Sequence, residues 1–220
     1  MKRNRALGLA IALTAGAAAY AVILRPRVLD WGATPEEAAR RMPGDELLPD
    51  AALQTTRAIT VNAPSRAIWP WLLQMGPRPR GGIYTYDWIE RLLGIDIENS
   101  DRILPEFQHL EPGEMLGVNE KGAGIRVIDV QDERAIVLQW VPAQSTWTFA
   151  LYPAGDGTTR LISRNRLRGS GPLSRAGLLV MEPASLVMER KMLLGIKERA
   201  ELLARDPAAV GYRAADSLTS

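Results

Sequence analysis

Four side chains in this sequence could do acid–base chemistry if the fold gathered them. His109 is the single histidine, and an imidazole changes charge near neutral pH. Glu106, Asp87 and Glu189 are carboxylates that could pair with it and move a proton, as a cyclase, dehydratase or hydrolase would require. Glu106 and His109 fall in the stretch from Gly81 to Glu111, where Tyr84, Tyr86 and Trp88 recur at every second position. Those aromatics could line the mouth of a cavity. They could equally plug a core, with Asp87 and Asp101 paired to Arg91 and Arg102 to fasten a loop.

Other chemistries are excluded by residue type. The chain has no cysteine, which removes disulfides and thiol catalysis, and one histidine is too few for a multi-histidine zinc centre. It carries no glycine-rich phosphate loop, dinucleotide fingerprint or nucleophile elbow, so neither a cofactor nor a metal is expected. A formal charge of +2 over 220 residues, with no basic groove interleaved with aromatics, gives no case for nucleic acid.

The elements that must position these groups follow from hydrophobic period. From Pro183 to Leu203, Leu186, Met192, Leu193, Ile196, Ala200 and Leu203 share one helical face, so a long C-terminal helix is predicted there. Glu189 projects from the middle of that face. It could meet an arginine of a facing sheet, sit at a wet end of the core or point into a ligand cavity, because a buried carboxylate without a partner is costly. Strands are predicted at Thr55–Val61, Met115–Val118, Ile125–Val130, Arg134–Val141, Thr146–Tyr152 and Thr158–Leu167, joined by short turns into an antiparallel meander. A helix beginning at Asn62–Pro64 is predicted to kink or split at Pro70. Alternation sets Arg160, Arg164 and Arg166 on one strand face. That face could be solvated, could supply the partner of Glu189, or could receive anionic lipid headgroups.

Ahead of this lies a run of nineteen residues without charge, Ala6–Leu24, between Lys2, Arg3 and Arg5 on one side and Arg25 and Arg27 on the other. At 1.5 Å per residue it matches a hydrocarbon core of about 30 Å, so a membrane anchor is expected, with a signal peptide cleaved near Ala19–Ala21 as the competitor. The flanking positive charges nearly balance, and we place the amino terminus in the cytoplasm with the domain outside. The expected organisation is an anchor over 1–25, a linker with a short helix capped at Thr34–Pro35 over 26–54, a domain over 55–204 and a loose tail over 205–220.

The stretch Ile59–Gly76, the turn and strand at Leu110–Val118 and the long helix together resemble the START/Bet v 1-like superfamily, also called SRPBCC or polyketide cyclase/dehydrase-like. Gly81–Leu110 resembles an actinobacterial-type subgroup with one amino-terminal membrane segment. The resemblance implies an α+β helix-grip fold, in which a curved antiparallel sheet wraps the long helix around an apolar cavity. It further implies that Trp147, Phe149 and Leu151 form one cavity-facing row and Ala135, Val137 and Gln139 another, with Met181, Met188 and Met192 adding pliable side chains. The expected ligand set is Tyr84, Tyr86, Trp88, Gln139, Trp147, Phe149, Met188, Glu189 and Met192. The functional expectation is a membrane-anchored, non-catalytic carrier of a hydrophobic small molecule or lipid. An enzyme using His109 with Glu106, Asp87 or Glu189 is the alternative, and a structural module closed by Trp69, Trp71 and Trp147 is the third reading.

Overall fold

The computed structural model describes residues 20–86, 98–117, 122–142, 145–169 and 171–211. Asp87, Trp88 and residues 6–19 of the charge-free run lie outside them. Strands β1 (Leu53–Val61), β2 (Met115–Leu116), β3 (Gly124–Gln131), β4 (Ala135–Val141), β5 (Ser145–Pro153) and β6 (Thr159–Leu167) form one antiparallel sheet in the order β1-β6-β5-β4-β3-β2. The tight turns expected between successive strands make β3 to β6 a meander, and β1 closes on β6 along its full length, Leu53 facing Leu167 and Val61 facing Thr159.

Among the described residues four α-helices accompany the sheet: α1 (Arg25–Leu29), α2 (Pro35–Ala39), α3 (Ser65–Leu73) and α4 (Pro172–Arg205). Two prolines behave differently from the sequence expectation. Pro70 lies inside α3, which is one nine-residue helix rather than two. Pro183 does not open the long helix but sits within it; the helix begins eleven residues earlier, with Pro172 at its first position after Gly171. A proline forfeits one backbone hydrogen bond in either place, and burial of α3 on one side and the lower half of α4 on the other outweighs that loss.

The inner face of the sheet meets α3 and α4 in one apolar core that includes Val61, Ile68, Trp71, Leu138, Trp147, Phe149, Leu161, Met192, Leu193 and Ile196. Alternation puts Ala135, Val137 and Gln139 on the other face, so that row does not look toward α4. The outer face is covered instead by the segment between α1 and β1, over a second cluster of Met42, Ala58, Ala135, Ala150 and Ile162. Gly44 comes so close that a Cβ there would stand 2.5 Å from Val137 Cγ1, and its φ of +84° suits glycine.

The three arginines of β6 hold this cover down. Arg164 Nη1 donates to Arg40 O at 2.6 Å and Asp45 Oδ2 at 2.8 Å, and its Nη2 donates to Glu37 O at 2.9 Å and Ala38 O at 3.0 Å. Arg160 pairs with Glu37, and Arg166 donates to Leu48 O and Pro49 O. Their face is neither solvated nor open to headgroups, and none of the three meets Glu189. The arginine bond pulls the Glu37 carboxyl below its ordinary range. Thr34 caps α2 as expected, and Glu37 returns a bond to its backbone N–H, which completes a capping box. At the other terminus Val210 is buried and its carbonyl accepts from Ile103 N at 3.0 Å, so the chain just after α4 packs on the domain. Among the described residues no helix is long and apolar enough to cross a membrane; Tyr20–Leu24, the last part of the charge-free run, forms a π-helical turn.

Candidate ligand-binding site

Two places join polar groups to the apolar core, one a closed knot of side chains and the other a groove with polar groups on its rim. The first is at Glu189, buried where α4 crosses β1 and β6. Arg57 Nη1 from β1 donates to Glu189 Oε2. Ser163 Oγ from β6 donates to Oε1 and itself accepts from Trp147 Nε1 at 2.9 Å, while Asn165 Nδ2 reaches Oε1 at 3.3 Å. Arg57 is completed by Val28 O, 3.2 Å from Nη2, and by Ser185 Oγ at 2.9 Å. Burial pushes the Glu189 carboxyl above the ordinary range, against the pull of Arg57 and of the bonds from Ser163 and Asn165. Both carboxylate oxygens are committed, so this node ties α4 to three strands and leaves nothing to offer a ligand.

The second place is a groove of about 650 Å³ at the far end of the core. Helix α3 supplies Arg66, Trp69, Pro70 and Leu73, a spacing of i, i+3, i+4 and i+7 that puts them on one stripe. The segment 103–110 supplies Ile103, Pro105, Gln108, His109 and Leu110, and Val130, Asp132 and Glu133 come from the β3–β4 turn. Trp69, Leu73, Ile103 and Leu110 belong to the core, so the floor is apolar and continuous with the interior. The rim carries a guanidinium, an amide, an imidazole and two carboxylates. A larger hollow, about 760 Å³, lies over the turns at Gln131–Arg134 and Gly155–Thr159. Leu151 is its single member of the main core. The smaller groove therefore has the better chemistry for an apolar ligand.

The walls of the groove are held by hydrogen bonds rather than left to packing alone. Gln74, buried just after α3, accepts from Leu104 N at 3.0 Å and donates through Nε2 to Arg102 O at 3.1 Å. Gln108 Nε2 donates to Leu104 O at 3.1 Å. On the opposite wall, Ser65 Oγ donates to Glu133 Oε2 at 2.8 Å and ties the β3–β4 turn to the start of α3.

Of the candidate ligand-binding and catalytic residues expected from sequence, His109 alone lines this groove, and Trp69, expected to help close a cavity, lies on its floor. Glu106, in the short 3₁₀ turn Pro105–Phe107, is exposed, and among the described residues no hydrogen bond joins it to His109. Tyr84 is in the core rather than at a mouth: its hydroxyl donates to Trp71 O at 2.9 Å, its ring meets Trp71 edge-on, and burial pushes the hydroxyl well above the ordinary tyrosine range. Tyr86 is half-buried with Lys191 Nζ 6.0 Å above its ring. Trp147 and Phe149 meet in the core with ring centroids 4.7 Å apart and planes tilted by 49°, Met192 is also buried, Met188 is half-buried on α4, and Gln139 lies on the outer face. Trp88 and Asp87 lie outside the described residues. Sequence reasoning missed Leu73, Ile103, Gln108, Leu110 and Val130, and the stripe 66/69/70/73 was the available signal.

No family model matches the chain, and no curated protein matches it. Solved structures similar to it include a solution structure from Thermobifida fusca, at 14% identity, covering 68% of this chain and 94% of that one with a TM-score of 0.45. Protein NE0264 from Nitrosomonas europaea is 15% identical and covers 69% of this chain and 96% of its own, with a TM-score of 0.43. The KanY protein is 14% identical and covers 68% and 97%, with a TM-score of 0.45.

Proposed function

We propose that this chain binds a hydrophobic small molecule or lipid in the groove between α3, residues 103–110 and the β3–β4 turn, while Ala6–Leu24 holds it at a membrane. The observation that carries the reading is a groove whose floor is the nearly buried apolar set Trp69, Leu73, Ile103 and Leu110 and whose rim is polar. Its volume of about 650 Å³ lies within the range usual for small-molecule sites. The resemblance to helix-grip proteins supports the same reading, with the ligand entering at one end of the sheet–helix core rather than displacing Trp147, Phe149 and Met192. The apolar floor favours partition of a nonpolar body, and Arg66 and His109 on the rim can fix one polar group of it.

A second reading keeps His109 as an acid–base group. In that case its carboxylate partner on the groove is Asp132 or Glu133, which share the lining with it, and not Glu189, whose oxygens are occupied.

Native mass spectrometry of the chain, followed by extraction of any bound molecule, tests the binding reading. The expected result is an apolar molecule in one-to-one ratio, displaced in an Ile103→Trp variant that fills the groove. A clean apo mass, together with no response of an apolar fluorescent probe to the chain, would sink the proposal.

A further inference from the structure

The amino ends of α1, α4 and β1 all point to the same side of the molecule. Arg57 bonds both Val28 of α1 and Ser185 of α4. One turn earlier in each helix, Arg25 Nη2 pairs with Glu182 Oε1 at 2.8 Å, so the two helices run side by side in one direction. Strand β1 follows them: Arg57 meets Glu189, Lys197 Nζ donates to Thr60 O at 2.7 Å, and Asn62 N donates to Glu201 Oε1 at 2.8 Å.

Helix α4 outruns the sheet on that side. Its 34 residues span about 51 Å, whereas the 9 residues of β1 span about 30 Å. Glu201 already stands opposite the end of β1, so most of the excess lies at the amino end, beyond Glu182. Exposed apolar side chains gather there. Val22 (75% exposed), Ile23, Leu24, Met181 (60%) and Trp140 (39%) all stand toward this end, Trp140 on the edge where β4 turns into β5. Beyond the Arg25–Glu182 pair the charges stop: Ala6–Leu24 has none and Pro172–Met181 has Arg175 alone, with Arg27 and Arg168 exposed at the border.

We propose that this end of the domain docks on the phospholipid bilayer, with Pro172–Met181 entering the interface on the same side as Val22–Leu24 and Trp140 resting at headgroup level. This rests on the reading of Ala6–Leu24 as a membrane segment. Ten helical residues reach about 15 Å, half of a hydrocarbon core of about 30 Å. Tryptophan and arginine are the side chains that interfaces favour. The groove, at the opposite end of β4 from Trp140, then opens toward water, and its ligand arrives from the aqueous phase.

The natural absence of cysteine allows the test on the full chain. Single cysteines replacing Ile11, Trp140, Met181 and Leu202 are labelled with a nitroxide, and the protein is placed in vesicles of phosphatidylcholine with phosphatidylglycerol. Met181, Trp140 and Leu202 are 60%, 39% and 37% exposed, so a label at each reaches the solvent side of the fold, and circular dichroism checks that each variant is folded. The expected result is that labels at 11, 140 and 181 lose collisions with an aqueous nickel chelate and gain them with oxygen, while the label at 202, near the far end of α4, stays aqueous. A label at 11 in lipid with those at 140 and 181 in water would overturn the docking and leave the anchor standing. All four labels in water would overturn both.

Discussion

The Glu189 node and the His109 groove are two answers to one problem, a polar group at the edge of an apolar core. At the node, one carboxylate accepts from Arg57, Ser163 and Asn165, on β1 and β6, and is closed off from water. At the groove, the floor of Trp69, Leu73, Ile103 and Leu110 is left partly uncovered, and the polar groups stand around it rather than in it. Saturated polarity holds a fold together; an unfilled apolar floor with a polar rim is what a ligand can use. The Glu189 carboxylate on the long helix is therefore taken up by protein partners, and the groove proposed for the ligand belongs to a short helix, a loop and a strand turn.

The largest effect should come from splitting the node. Arg57→Met or Glu189→Leu alone leaves a buried charge without its partner, and each should lower unfolding stability by about 3–5 kcal/mol in urea denaturation. The double variant should recover most of that loss and bind ligand as the parent does. A double variant as unstable as either single would show that packing, not charge, holds α4 there.

Gln74→Leu comes next, because it strands Leu104 N and Arg102 O at the groove wall. The expected cost is about 1–3 kcal/mol, with weaker binding from a loosened 103–110 segment. A change in stability without a change in binding would separate Gln74 from the site. Leu110→Arg places a charge on the floor itself and should weaken an apolar ligand at least about tenfold, or about 1.4 kcal/mol, with little change in the node.

Much of this architecture could be read from residue pattern, and the failures have physical causes. Alternation marked every strand to within two residues, and the phase of Glu189 on its apolar face was correct. Its partner was also visible. Arg57 occupies the same inward row of β1 as Ile59 and Val61, a charge out of place in one element matching a charge out of place in another. The cover on the outer face had a comparable sign: Glu36, Glu37, Asp45 and Glu46 precede the strand, and Arg160, Arg164 and Arg166 alternate on β6. The groove was harder, since Gln74 joins α3 to residues thirty positions away through hydrogen bonds that no local period encodes. Which face of β4 looked inward also needed the register with β5, so Gln139 was placed on the wrong side.

The smallest predicted effect is in pH dependence, where two carboxyls act in opposite directions. Glu37, held below its ordinary range by Arg160, stabilises the fold above its unfolded value, and that contribution is lost as pH falls through its lower native value. Glu189, raised by burial, contributes stability below its unfolded value that is lost as pH rises through its native one. Glu37→Gln should flatten the acid limb of a stability–pH profile by a small amount, because Glu37 is partly solvated. An unchanged acid limb would mean that backbone carbonyls alone hold the cover on β6.

The claim that an apolar molecule seats in the groove, and not between the sheet and α4, can be tested by photo-crosslinking. The chain is irradiated with a diazirine-bearing fatty-acid probe and the labelled peptides are sequenced. The account predicts adducts within 66–73 and 103–110, reduced by Ile103→Trp. Adducts on Trp147, Phe149, Met188 or Met192 would contradict it and move the site back to the interior.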